Sequence, residues 1–210
     1  MILIVGLGNP KRRFILTRHN VGFLFIDHLK KLGKFGPFKE SKKFEAKITK
    51  GKIFGKVVFL VKPLTFMNSS GRAVLKIARY YKVPKRNIWV VHDDADIEIG
   101  RIKISRGKSS GGHKGVESVI QNLGSKNFLR LRIGIAPLSE NEKLKVKEKG
   151  LEKFVLERFS KKEREVLKEV FKICTKAVEV LLKEGVEKAM SEFNKKDAPF
   201  ESVRRHSYEP

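Results

Sequence analysis

The order of short apolar runs and amphipathic segments constrains the fold of this chain more than any other feature. Residues 2–5 and 88–91 are continuously apolar, which is typical of strands buried on both faces. Between them, residues 20–32 carry apolar side chains at helical spacing, and a second helical pattern begins after a cap at Ser69 or Ser70. Strands interleaved with helices predict an α/β fold.

The middle of the chain predicts a hairpin. Residues 44–48 and 53–61 have the composition of strands, and the dipeptide Lys50-Gly51 between them is typical of a turn. Pro63 is expected to end the second strand.

Later segments add strands and then helices. Residues 101–105 alternate like an exposed strand, and 129–135 alternate more strictly, with a helical stretch at 116–123 between them. Lys- and Glu-rich helices are predicted at about 160–173 and 175–193. We therefore predict one α/β domain with a twisted, mostly parallel or mixed sheet, flanking helices and a helical C-terminal region.

The domain is expected to span residues 1–194, and 195–210 lose periodicity and predict a flexible basic tail. Cys174 is the only cysteine, so no internal disulfide is expected, and its apolar surroundings predict burial. The N-terminus lacks the features of a signal peptide, and no apolar run approaches the roughly 20 residues of a membrane span. We expect a cytoplasmic monomer with no membrane contact.

The charge balance indicates the kind of partner. The chain has 47 Lys and Arg against 23 Asp and Glu, a formal net charge of +24. Such a field attracts polyanions and favours nucleic acid or a phosphorylated ligand. The alternative, a Lys/Glu-rich surface as in heat-adapted proteins, accounts for the 33% of charged residues but not for the two-to-one excess of one sign.

A glycine-rich turn, GLGNPK at 6–11, follows the first strand. A dinucleotide-binding fingerprint needs glycine where Lys11 stands, and Pro10 is unsuited to the helix start of that motif, so this class of site is excluded. What remains is a turn presenting Asn9, whose amide both donates and accepts hydrogen bonds. Ordinary Asn-Pro turn chemistry is the alternative.

His19, at the N-terminal edge of the first predicted helix, is a candidate general base. Asp93 is its best partner because it follows a buried strand, at the end where α/β proteins place their sites. A carboxylate bonded to one imidazole nitrogen fixes the tautomer and makes the other nitrogen a better base. The segment HDDAD at 92–96 has two other interpretations, a solvated turn or a divalent-metal site of Asp93, Asp94 and Asp96.

Asn68 offers a second amide within PLTFMNSSG at 63–71. Together with Asn9 it suits a substrate carbonyl or an oriented water. The alternatives are an ordinary helix cap for Asn68 and core positions for Met67 and Phe66.

The glycine-rich loop at 107–115 contains GKS, like the end of a Walker A motif, but Ile102 stands where the leading glycine is required. Nucleoside triphosphate hydrolysis is therefore excluded. Free N–H groups before a helix still suit a phosphate, and a loop without function is the alternative. The basic residues of this region are Lys103, Arg106, Lys108 and Lys114.

Other catalytic arrangements find little support in the sequence. No Gly-x-Ser-x-Gly elbow and no His or Cys zinc spacing occurs, and Cys174 is predicted to be buried. By elimination, hydrolysis would use water activated by a base, with no covalent intermediate, no obligatory metal and no cofactor.

Six segments resemble, in order and spacing, the bacterial-type peptidyl-tRNA hydrolase family. They span residues 2 to about 136, and the later helices are compatible with that family. The segments are VGLGNP at 5–10, TRHNVG at 17–22, PLTFMNSSG at 63–71, HDDAD at 92–96, GGHKG at 111–115 and FLRLRIG at 128–134.

The resemblance implies cleavage of the ester that joins a peptide to the 3′ ribose of tRNA, with peptidyl-tRNA as partner and substrate. It implies a catalytic centre in which His19 activates water, Asp93 holds His19 in its basic form and Asn9 recognises the blocked amino end. It implies substrate contacts for Phe14, Phe66, Met67, Asn68, Gly111, His113 and Lys114, and tRNA phosphate contacts for Lys103 and Arg132.

Three positions depart from the family pattern. Lys11 replaces a glycine, Phe14 replaces a common tyrosine and loses its hydroxyl, and Lys114 replaces an asparagine but cannot accept a hydrogen bond. These departures favour an alternative, a non-catalytic RNA-binding protein on the same fold, as among organellar splicing factors that resemble the family. The retained His19 and Asp93 favour the enzyme, since binding alone needs no oriented base.

Overall fold

The apolar runs at 2–5 and 88–91 form neighbouring parallel strands at the centre of one sheet. A computed structural model describes residues 1–195. The predicted tail at 195–210 therefore lies outside the described residues, except for Lys195.

The sheet has eight strands within this range, in the order β2-β4-β5-β1-β6-β8-β7, with β3 paired to β4. Strand β1 is parallel to β5 and β6, and β6 is parallel to β8, whereas β2, β3, β4 and β7 pair antiparallel. The predicted mixed sheet is thus confirmed. The strands are β1 (Ile2–Gly6), β2 (Lys34–Phe35), β3 (Lys39–Ser41), β4 (Ala46–Ile53), β5 (Lys56–Pro63), β6 (Ile88–Glu98), β7 (Ile102–Arg106) and β8 (Leu129–Ala136).

Helices cover both faces of the sheet. On β1 the side chain of Ile4 faces one core layer, and those of Leu3 and Val5 face the other, which is why this strand is apolar throughout. Helices α1, α6 and α7 cover the first face, and α2 and α3 cover the second. The helices are α1 (Val21–Leu32), α2 (Ser70–Tyr80), α3 (Lys114–Leu123), α4 (Glu140–Lys149), α5 (Leu151–Leu156), α6 (Lys161–Lys183) and α7 (Val186–Phe193).

The hairpin of β4 and β5 forms, but the predicted turn at Lys50 and Gly51 is wrong. The turn lies at Phe54 and Gly55, which both have positive φ (49° and 74°), as the favoured two-residue hairpin turn requires. Gly51 is a strand residue, and a Cβ there would come within 2.3 Å of the ring of Phe35. This glycine therefore serves the close approach of β2.

Strand β6 extends beyond the predicted end at 91, because β8 pairs with it as far as Asp94 and again, after a bulge, at Glu98. Strand β7 is less exposed than predicted: helix α7 packs against it, and the Asn194 side chain bonds both the N–H and the C=O of Ile104, at 2.7 and 2.9 Å. This contact satisfies backbone groups of an edge strand.

The C-terminal helices are confirmed, although their boundary differs from the prediction. The break lies at Glu184 and Gly185, and Cys174 is fully buried in the middle of α6, as expected. Helix α4 was not predicted. Within residues 1–195, no helix has the length and apolar composition needed to cross a membrane.

Candidate active site

The loop after β1 presents Asn9 with a fixed side chain. The Asn9 N–H donates to Oδ1 of Asn20 at 2.8 Å, and Nδ2 of Asn20 donates to the Asn9 carbonyl at 2.9 Å. Oδ1 of Asn9 accepts the N–H of Met67 at 3.0 Å, which identifies the oxygen of this amide. Its Nδ2 has no hydrogen-bond partner within residues 1–195, and the residue lines a cavity.

His19 lies in the 3₁₀ turn Arg18–Asn20, directly before α1. The turn can approach β6 because Gly22, at the start of α1, has no side chain. A Cβ at Gly22 would come within 2.5 Å of the carbonyl oxygen of Val91 in β6. Nδ1 of His19 is 2.9 and 3.0 Å from the two carboxylate oxygens of Asp93. A carboxylate accepts only, so Nδ1 carries the proton and Nε2 is the basic nitrogen, with no partner in the described part of the chain.

His113 contacts the same carboxylate from the glycine-rich loop. Its Nε2 is 3.0 Å from Oδ1 of Asp93, and its Nδ1 accepts the N–H groups of Gly115 and Val116, at 3.1 and 3.2 Å, as the N-cap of α3. The proton must therefore lie on Nε2. The rings of His19 and His113 are 4.9 Å apart, but both nitrogens of His113 are engaged by the protein.

Asp93 is a buried anion. Burial alone would raise the pKa of Asp93. The positive charges that His113 and His19 carry when protonated, and the hydrogen bonds that they donate, outweigh this and hold the pKa of Asp93 far below its ordinary value. Burial keeps the pKa of the neighbouring His92 well below its ordinary value, with a further contribution from His113. His92 therefore stays neutral and donates from Nδ1 to the Asp93 carbonyl oxygen at 2.6 Å.

These groups meet at a cavity of about 570 Å³, a volume typical of small-ligand sites. Most of the predicted site residues line it, brought together from the loop after β1, the segment before α2, the end of β6 and the start of α3. They are Asn9, His19, Phe66, Met67, Asn68, Asp93, Gly111, His113 and Lys114.

One wall of the cavity was not predicted. It is the short helix α5, which contributes the side chains of Leu151, Glu152, Val155 and Leu156. Nζ of Lys114 donates to Oε1 of Glu152 at 2.7 Å across the mouth, and this hydrogen bond holds the pKa of Glu152 below its ordinary value. The apolar spacing of 151–156 is typical of any short helix, so only the tertiary placement reveals this wall.

Two departures from the family pattern are not among the residues that line the cavity. Phe14 is outside the lining residues, and its ring is 4.7 Å from the guanidinium of Arg13. Lys11 places its Nζ 5.1 Å from the ring centroid of Phe66, which is half-exposed at the rim.

The two residues expected to contact tRNA phosphate are neighbours outside the cavity. Lys103 on β7 and Arg132 on β8 are cross-strand partners. Nε of Arg132 donates to Oδ2 of Asp94 at 2.6 Å, and Lys103 is exposed with no ion-pair partner among the described residues.

The alternative metal site of Asp93, Asp94 and Asp96 is not assembled. Within residues 1–195, a set of three close donor atoms occurs only at His19, Asp93 and His113. Each histidine nitrogen there is 2.9–3.0 Å from a carboxylate oxygen, which is a hydrogen-bond length. The nitrogens that face Asp93 carry the imidazole protons, so in this arrangement they have no lone pair for a metal ion.

Known proteins resemble this chain over nearly its whole length. The family model described as "Peptidyl-tRNA hydrolase" matches residues 3–200. The peptidyl-tRNA hydrolase of Caldanaerobacter subterraneus subsp. tengcongensis is 43% identical over 92% of this chain and 100% of that protein. That of Pseudothermotoga lettingae is 42% identical over 92% of this chain and 97% of that protein. The crystal structure of peptidyl-tRNA hydrolase from Acinetobacter baumannii has a TM-score of 0.80 at 31% identity, covering 92% of this chain and 94% of that chain. The chain therefore belongs to the peptidyl-tRNA hydrolase family.

Proposed function

We propose that this chain hydrolyses the ester bond between the peptide and the 3′ ribose of peptidyl-tRNA. The observation that carries the proposal is the imidazole of His19, whose Nδ1–H is held by Asp93 and whose Nε2 is free at a cavity of about 570 Å³. Family membership indicates the substrate, and the free nitrogen supplies the base that the reaction needs.

The reaction proceeds by direct attack of water. Nε2 of His19 takes a proton from water while the water oxygen bonds to the ester carbonyl carbon. The Asp93 carboxylate stabilises the resulting imidazolium. The tetrahedral intermediate then breaks its bond to the ribose oxygen, which takes the proton back from His19. The products are a peptide carboxylic acid and a tRNA with a free 3′ hydroxyl.

Asn9 accounts for a preference for blocked amino ends. Its Oδ1 already accepts the N–H of Met67, whereas its Nδ2 has no partner among the described residues, so the amide faces a ligand as an N–H donor. Donors suit the carbonyl oxygen of the acyl group that blocks the amine in peptidyl-tRNA. The free ammonium of an aminoacyl ester carries only donors as well and cannot bond there. The exposed Asn68 supplies a second amide on the same cavity wall.

Lys103 and Arg132 contact the tRNA phosphates in this proposal. Like charges placed directly opposite on neighbouring strands are destabilising, and only Arg132 has a nearby carboxylate, that of Asp94. A phosphate would relieve this repulsion. Phosphate contacts carry no base-sequence information, which suits a substrate class common to all tRNAs.

A single-turnover assay with N-blocked and free aminoacyl-tRNA tests the function. The wild-type protein should cleave the blocked substrate, with and without chelator, and discriminate against the free one. His19→Ala should lower the rate about 10²- to 10⁴-fold, the usual contribution of a general base. His28→Ala is the matched control, because His28 lies in α1 away from the cavity and should leave the rate unchanged.

A His19→Ala protein that cleaves at the wild-type rate would refute the role of His19. A wild-type protein that binds tRNA but leaves the ester intact would favour the RNA-binding alternative. Loss of activity on chelation would favour a metal-dependent reaction.

A further inference from the structure

Arg18 directly precedes the proposed base, and its guanidinium is enclosed by protein, with 8% of the residue exposed. Its Nη2 donates to both carboxylate oxygens of Glu163, at 2.8 and 3.0 Å, and Nη1 donates to the carbonyl of Arg158 at 3.2 Å. The guanidinium also lies over the ring of Phe154, 4.3 Å from its centroid. Phe154 is the buried residue of α5, so one side chain joins the turn that carries His19 to this helix.

Backbone contacts reinforce the same connection. The Arg18 N–H donates to the carbonyl of Glu157 at 3.0 Å, and the N–H of Phe159 donates to the carbonyl of Leu16 at 3.0 Å. Thr17 and Arg158 form an isolated antiparallel bridge between these bonds. The segment before His19 is thus paired with the residues that immediately follow α5.

Helix α5 depends on these contacts for its position. It has six residues, and helices shorter than about 12 residues are marginal without tertiary packing. Leu151, Glu152, Val155 and Leu156 of α5 line the active-site cavity, whereas Phe154 borders a second cavity of about 660 Å³ together with Arg18. Apart from α4, which directly precedes it, α5 makes its main contacts with the turn that carries His19.

We infer that Arg18 is a positioning residue, which sets both the orientation of His19 and the distance of α5 across the cavity. The inference rests on the proposed role of His19. Lysine could not replace Arg18 in this role. The role needs a planar cation that stacks on a ring while several of its N–H groups donate hydrogen bonds at once.

Kinetics of Arg18→Met and Arg18→Lys test the inference, measured at a temperature where circular dichroism shows each protein to be folded. Both should lower kcat, Arg18→Met by about 10- to 100-fold, because small misplacements of a catalytic group have effects of this size. Both should also raise KM, because α5 forms a wall of the cavity.

Lys62→Met is the matched control. Lys62 is also a largely buried cation, paired with Asp27 and lying 4.5 Å from the ring centroid of Phe38, but it does not line the cavity. Its loss should lower the unfolding temperature and leave kcat and KM unchanged.

A second readout does not depend on activity. In the free protein, NMR of isotope-labelled histidine should detect the Nδ1–H of His19 and the Nε2–H of His113 as slowly exchanging protons on Asp93. Arg18→Met should broaden or remove the His19 signal and keep that of His113, which is fixed by the α3 cap. Lys62→Met should keep both.

Selective loss of the His19 signal together with lower kcat supports positioning. A folded Arg18→Met protein with wild-type kcat, KM and both signals would overturn it, leaving Arg18 as a stabilising residue only. Should Arg18→Met not fold, Glu163→Gln and Phe154→Leu each remove one partner of Arg18. The His19 signal and kcat of these two variants then decide between positioning and stabilisation in the same way. A wild-type protein that cleaves no peptidyl-tRNA would refute the proposed function, while the NMR signals would still decide whether Arg18 orients His19.

Discussion

The 3₁₀ turn that carries His19 and the glycine-rich loop that carries His113 approach Asp93 from two sides. Each supplies one imidazole N–H to the carboxylate, at 2.9–3.0 Å. The difference lies in the second nitrogen, which is free in His19 and accepts two backbone N–H groups in His113. The same side chain on the same anion is thus a candidate base on one side and a helix cap on the other.

The comparison teaches that proximity to a carboxylate does not make a histidine a base. A nitrogen that caps a helix satisfies donors at the helix N-terminus, and its protonation would break those bonds and place a positive charge at the positive end of α3. The turn before α1 makes no such demand on His19. We therefore expect chemistry on the His19 side and binding on the His113 side.

The largest effect is expected from Asp93→Asn, which removes the anion that both histidines share. An amide can present its NH₂ to His19, and this favours the tautomer whose free nitrogen already carries the proton. We expect kcat to fall about 10³- to 10⁴-fold, the scale seen when such an aspartate is lost elsewhere. A loss below tenfold in single-turnover cleavage would mean that His19 needs no orienting partner.

The pH dependence of stability is a further consequence of the same change. The folded pKa of Asp93 lies far below the unfolded value of about 3.9, so its ionised form contributes stability that is present above that value. The contribution is lost as the pH falls through the folded pKa. In urea unfolding, the deficit of Asp93→Asn relative to the wild-type protein should shrink as the pH falls below about 4.

A smaller effect is expected from His113→Asn. Asparagine is a good helix cap, so α3 should remain intact, but its shorter side chain gives up the bond to Asp93. We expect kcat to fall about tenfold, equivalent to about 1.4 kcal/mol, the scale of one hydrogen bond. His19→Asn, measured in parallel, should lose at least ten times more. Equal losses would remove the distinction between the two sides.

The sequence could predict one side of this comparison better than the other. The fold order is readable from apolar runs, and the position of Asp93 after a buried strand makes it a candidate partner of His19. That the two residues meet is implied by the family resemblance, and the structure places them in contact. The capping role of His113 was not readable from the sequence, because histidine is not among the usual helix caps. It appeared only as a residue of a substrate-binding loop, and the structure shows both its nitrogens engaged by the protein.

The remaining errors have physical causes of the same kind. The dipeptide Lys50-Gly51 is typical of a turn, but the hairpin turns at Phe54 and Gly55, where Phe54 adopts the positive φ that phenylalanine rarely takes. The wall helix α5 is a six-residue segment whose placement depends on Arg18, 136 positions before Phe154 in the chain (154 − 18). Local patterns carry no information about such long-range contacts.

The smallest effect is expected from Lys114→Asn, which restores the residue usual in the family. This variant tests whether the glycine-rich loop of His113 contributes to substrate binding and not to the chemical step. The bridge to Glu152 joins side chains that are 61% and 80% exposed, so breaking it should scarcely affect folding. We expect kcat to stay within about twofold, since neither group reaches His19. The slope of the logarithm of tRNA affinity against the logarithm of salt concentration should fall by at most about one, the contribution of one phosphate contact. Steady-state kinetics at low and high salt distinguish an effect on kcat from an effect on tRNA binding, with Lys103→Ala as the reference for a lost phosphate contact. A tenfold fall in kcat that persists at high salt would place Lys114 in the chemistry and end the division between the two sides of Asp93.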